Sequence, residues 1–182
     1  MAIKTFTTGE VLTASDTNTY LANSGLVYIK QQTVGAGVAS VTVSDAFSAT
    51  YDNYKIIWSG GTCSAANELG LQLGASTASY FGFLQYGSYT GATLFGVNDN
   101  GQSKFRYIGG ADSSYCSLNA ELFSPFQAAI TTISAAGNYG AFSFGTYAGR
   151  HVVSTSYSAF TVIPGTGTMT GGIIYVYGYR KA

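Results

Sequence analysis

At 182 residues the chain is long enough for one domain with a substantial core. Charged side chains make up 9% of it, eight basic and eight acidic, so the formal net charge is zero; an ordinary soluble domain carries about a quarter. Lys and Arg do not cluster beyond Arg180-Lys181, which argues against nucleic-acid binding. No apolar run approaches the roughly 20 residues of a membrane helix, which argues against membrane insertion.

The surface implied by this composition is Gly, Ser, Thr, Asn, Gln and Tyr. It offers little repulsion between copies, so the chain reads as a component of an assembly. The first residues lack the apolar stretch of a secretory signal, and the expectation is synthesis in a cytoplasm without export by the usual route.

In chain order, Thr13-Ala14-Ser15-Asp16 fits a capping box, with Thr13 as N-cap and Asp16 three positions on. This predicts a short helix over residues 14–23, with Tyr20 and Leu21 facing inward and Gly25 just past its end. Such a helix is too short to stand alone and must dock on something. Beyond Gly25 the hydrophobic period changes to two. Strands are predicted over residues 26–33, around Val41 and Val43, over 54–59 and through Leu69, Leu71 and Leu73. Others follow near 80–85, 93–97, 104–108, 117–123, 129–134, 140–145, 159–163 and 172–179. Turns are expected at Asn98-Asp99-Asn100-Gly101, Gly109-Gly110, Gly137-Asn138 and Pro164-Gly165. The fold expected is all-β: an antiparallel, jelly-roll-like β-sandwich over residues 26–182, with residues 1–25 as a helical attachment segment.

Three segments carry a resemblance. Phe6 to Leu21, with Val11-Leu12-Thr13-Ala14 followed by Asp16, Asn18, Tyr20 and Leu21, resembles the N-terminus of many tailed-bacteriophage virion proteins. Gly171-Gly172-Ile173-Ile174-Tyr175-Val176-Tyr177-Gly178-Tyr179-Arg180 resembles the last strand of phage appendage sandwich domains, with Val176 where a Leu is usual. Tyr51-Asp52-Asn53-Tyr54-Lys55-Ile56 resembles the step into a core strand of such domains. The resemblance implies a virion surface protein, a homotrimer held to other virion proteins through its N-terminal segment. It implies a small tail fibre or spike that attaches to host surface glycan, with a capsid decoration or head-fibre protein as the alternative. A non-viral carbohydrate-binding module is a third reading.

The residues themselves offer no enzyme motif. His151 is the only histidine, no Gly-x-Ser-x-Gly occurs, and the acids are scattered. Asp45, Asp52 and Asp99 read as turn formers, and Glu121 as an outward position on a strand. Asn98 to Gly101 reads as a hairpin turn in preference to a calcium loop. Cys63 and Cys116 read as two buried thiols in preference to a disulfide, and no metal or cofactor is expected. The aromatics say more. Tyr80, Tyr86, Tyr89, Tyr107, Tyr115 and Tyr139 fall near expected loops or strand ends. A tyrosine there serves either the core and subunit contacts or a ligand. For a ligand-binding surface the expected residues are Tyr86, Tyr89 and Asp99.

Overall fold

The structure, a computed structural model, describes residues 6–17, 25–139 and 143–181. The described chain is almost wholly β. The expected N-terminal helix is not supported. Among the described residues, helical geometry is one turn, α1 (Ala14–Asp16), which buries nothing. Its capping box is present: Thr13 Oγ1 accepts from the Asp16 amide, and the Asp16 carboxylate accepts from the Thr13 amide. The rest of the expected helix, Tyr20 and Leu21 included, lies outside the described residues.

Fourteen strands follow among the described residues. They are β1 (Leu26–Thr33), β2 (Val41–Val43), β3 (Asn53–Ser59), β4 (Thr62–Cys63), β5 (Asn67–Leu73), β6 (Tyr80–Ser88) and β7 (Leu94–Gln102). Then come β8 (Phe105–Ala111), β9 (Cys116–Phe123), β10 (Thr131–Asn138), β11 (Ser143–His151), β12 (Phe160–Pro164), β13 (Met169–Thr170) and β14 (Ile173–Tyr179). All pairings are antiparallel.

The architecture is a sandwich that divides at β9. One edge of β9 pairs with β3, and through it with β14 and β1. Along the other edge, its first residues pair with β8 and its last with β10. From β8 the order runs β5, β12, β2; from β10 it runs β11, β6, β7. The β8 branch folds over the rest. Alternation then dictates what is buried: Tyr54, Ile56 and Trp58 of β3, Ile174 and Val176 of β14, and Leu69, Leu71 and Leu73 of β5 face one core. Phe47 bridges the layers, with its ring 4.7 Å from Tyr54 and 5.5 Å from Phe160.

Three expected turns are strand instead. Asn98 and Asp99 pair with Phe83 and Gly82 inside β7. The next two residues, Asn100 and Gly101, stand opposite the single residue Phe81 as a bulge, and Gly101 takes a φ of +66°. Turn-forming residues are thus used to kink a strand. Gly109-Gly110 lies inside β8 where it meets β9. A Cβ on Gly109 would sit 2.0 Å from the Ser117 carbonyl oxygen, so only glycine allows that approach. Gly137-Asn138 closes β10 as strand, and the connection that follows lies partly outside the described residues. The turn at Pro164-Gly165 is as expected, with Pro164 ending β12. Asp45 sits in a turn with a φ of +49°.

His151 ends β11 fully buried, its ring stacked on Tyr80 at 4.1 Å. Its Nδ1 lies 3.2 Å from the Ser79 carbonyl oxygen, which can only accept, so Nδ1 carries the proton. Nε2 is then the acceptor for the Tyr157 hydroxyl at 2.8 Å. Burial holds the imidazole below its ordinary value of 6.5, so it is neutral in the folded state. Stability from this group is present above that value and is lost as pH falls through the lower folded-state pKa. We expect the melting temperature to fall between about pH 7 and about pH 5, and a His151→Asn variant, less stable throughout, to fall less. Parallel thermal melts of the two proteins with the same acid slope would refute this role.

Candidate functional site

β8 carries the irregularity that makes the site. Leu69 of β5 pairs with Gly109, but Leu71 pairs with Phe105, so Arg106, Tyr107 and Ile108 stand opposite one residue. Bulges of this kind re-aim side chains. Here Tyr107 turns toward the facing layer, its ring centroid 5.9 Å from Tyr147 and 6.4 Å from Tyr139. The result is a cavity of about 290 Å³ between the layers. The start of β5 (Asn67, Glu68), Leu84 and Tyr86 of β6, Val97 of β7 and Tyr107 line it, with Tyr139 just past β10 and Ser143 at the start of β11.

Arg106 organises the charge beside this cavity. Its guanidinium lies 3.4 Å from Asp99, 3.9 Å from Glu68 and 4.8 Å from the centroid of the Tyr107 ring. One cation therefore faces two carboxylates. Burial pushes the Asp99 carboxyl above its ordinary value of 3.8, opposed by the hydrogen bond from Tyr147 and by Arg106. Burial raises the Tyr107 and Tyr139 phenols, so both are protonated donors at neutral pH. The Tyr139 hydroxyl is buried and has no hydrogen-bond partner among the described residues.

The structure separates the three residues expected to form a ligand surface. Tyr86 lines the cavity, half-buried, with its ring stacked at 5.4 Å on Phe95. Tyr89 lies just beyond β6, exposed, 6.2 Å from the Phe144 ring. Asp99 is no surface group. It is 4% exposed and is held by the Tyr147 hydroxyl at 2.9 Å and by Arg106. Expected as a turn former at a ligand surface, Asp99 lies instead within β7 and points inward. Of the other tyrosines, Tyr80 belongs to the core, its hydroxyl accepting from the Leu73 amide. Glu121 faces outward on β9, as expected, bound by Lys55 at 3.5 Å and by the Tyr179 hydroxyl at 2.5 Å. That hydrogen bond to the Glu121 carboxylate, with burial, pushes the Tyr179 phenol up to about 12. Cys63 is buried and Cys116 half-buried, both as free thiols.

Sequence reasoning did not find Glu68, Arg106 and Ser143 as neighbours. They are 75 positions apart from first to last, and only the β8 bulge and the layer stacking unite them.

A second surface is the outer face of β10, β11, β6 and β7. Phe83, Leu94 and Phe144 stand exposed on it, among small and amide side chains. Strand alternation puts one charged side chain, Arg150, on that face. Among the described residues no cluster of His, Cys, Asp and Glu could hold a metal ion, and no helix is long and apolar enough to cross a membrane.

The fold and these two surfaces define an antiparallel β-sandwich with an interlayer tyrosine-lined cavity and an aromatic flank that carries one charge. Comparison with known proteins finds no matching family model, no matching curated protein and no matching solved structure.

Proposed function

We propose that this chain is a structural protein of a tailed-phage virion, a small homotrimeric tail fibre or spike that attaches the particle to host surface glycan. The observation that carries the reading is the outer face of β10, β11, β6 and β7. Its exposed Phe83, Leu94 and Phe144, with Arg150 as the one charge, suit burial against further copies of the chain. A face with a single charge also lets identical copies meet with little repulsion. The described N-terminal residues, 6–17, bury no apolar side chain, in keeping with a segment that docks on other virion proteins. The resemblance of both ends to phage virion proteins supplies the setting.

The purified protein is expected to scatter light as a trimer at micromolar concentration, and Phe83→Glu is expected to yield smaller species with an unchanged fold. A stable wild-type monomer would overturn the assembly reading. Particles lacking the protein should lose adsorption to host cells. Normal adsorption by such particles would overturn the attachment role and favour capsid decoration.

A further inference from the structure

We propose that the cavity between β5, β6, β7 and β8 is a binding site for one uncharged sugar ring, and that it discriminates against acidic sugars. This deepens the attachment reading and rests on it for its biological setting.

Size argues first. At about 290 Å³ the cavity falls just below the roughly 300–1,000 Å³ usual for small-molecule sites. It accepts one ring-sized ligand and not a length of polymer, so it would take a terminal or branching unit. The wall chemistry argues next. Leu84 and Val97 give an apolar floor, and Tyr86 and Tyr107 add aromatic surface with polar tips. A pyranose has the matching character, with C–H groups on its faces and hydroxyls around its edge. Glu68 supplies a carboxylate acceptor, and Ser143 a hydroxyl that both donates and accepts. A purely apolar ligand would strand these groups.

Charge supplies the selectivity. Arg106 reaches the cavity wall through Glu68 and already faces both Asp99 and Glu68. Two carboxylates thus share that one cation. A sugar carboxylate entering beside Glu68 meets like charge, with its one potential counter-ion shared between two acids. A neutral ring pays no such penalty. Leu84, Tyr86 and Val97 stand in the paired β6–β7 ladder, so that wall of the site is preformed.

The test uses the full chain, titrated with methyl glycosides of glucose, galactose and mannose, with N-acetylglucosamine, and with glucuronic and N-acetylneuraminic acids. Calorimetry and amide shift mapping read the binding. At least one neutral sugar should bind with millimolar affinity, with shifts centred on Glu68, Tyr86, Tyr107 and Ser143. Both acids should bind about tenfold more weakly or not at all. Tyr86→Ala should weaken the neutral sugar about tenfold. Glu68→Gln, at a half-exposed position that should tolerate it, should narrow the gap between neutral and acidic sugars. This second variant keeps the test decisive if Tyr86→Ala fails to fold. Absence of binding by every neutral sugar, shifts centred elsewhere, or acids binding as well as neutral sugars would overturn the assignment. Sugar binding by the protein alongside normal adsorption of particles lacking it would remove the attachment role and leave the cavity assignment standing.

Discussion

Replacing Trp58 with alanine is expected to cost about 3–5 kcal/mol of folding stability. Trp58 is 1% exposed at the centre of the sandwich, on β3 between Ile174 of β14 and Leu118 of β9. Its indole Nε1–H donates to the Gly171 carbonyl oxygen at 3.2 Å, tying the core to the turn before β14. That turn is built around the ring. Gly172 has a φ of +79°, and a Cβ on it would come within 2.6 Å of the indole nitrogen. A strand and a left-handed turn already shaped to the ring have little freedom to collapse into the space it leaves. The truncation therefore loses transfer energy, leaves a void and strands a carbonyl. Ile57, on the opposite face of the same strand and half-buried, should cost less as alanine. Ser59→Ala, at an exposed position, should be near neutral. Denaturant unfolding of the three variants at one protein concentration checks the order, and equal losses for Trp58→Ala and Ser59→Ala would contradict it.

Asp99→Ala is the second large effect, about 3 kcal/mol. The substitution leaves the buried Tyr147 hydroxyl without its acceptor and Arg106 without its closer carboxylate. Arg106 is about a third exposed and regains water, which keeps the loss below that of a fully enclosed pair. Asp99→Asn keeps an acceptor for Tyr147 and should cost clearly less. The pH dependence has a definite sign. Because burial holds the Asp99 carboxyl above 3.8, its contribution to stability is greatest below that value and declines as pH rises through its folded-state pKa. Chemical unfolding of wild type and Asp99→Asn from about pH 3 to about pH 7 should show that decline in the wild type alone. If Asp99→Ala is no worse than an exposed substitution, the inward placement of this carboxylate is wrong.

The same residue shows how far sequence alone reaches. Period-two alternation is a local property of the chain, and it is enough for the buried Trp58 and Ile56, the outward Glu121 and most of the strands. The two-residue β4 and β13 carry too little alternation to be expected. Of the strand expected over 140–145, residues 140–142 lie outside the described residues, while β11 continues to His151. Alternation is enough for the fold class too, because short strands with Gly-rich connections can bury their apolar faces only by stacking sheets. Turn composition was less reliable. Asn98 to Gly101 and Gly109-Gly110 have turn residues, but a residue that tolerates a tight turn also tolerates a bulge or a close strand crossing. Which use prevails depends on pairing partners distant in the chain: Gly82 and Phe83 for β7, Ser117 for β8. The helical reading of the N-terminus rested on a capping box, which is present but starts only one turn among the described residues.

The cavity was beyond the sequence for a related reason. Tyr86 and Tyr107 were visible as aromatics near strand ends, yet their convergence with Glu68 and Ser143 needs the forked pairing of β9 and the extra residues of β8. Strand identity and the composition of a neutral, tyrosine-rich surface follow from alternation and residue chemistry, which act over a few positions. The layer order, the inward turn of Asp99 and the interlayer cavity were decided only in the tertiary structure, where contacts between distant strands select among conformations that the local sequence permits equally.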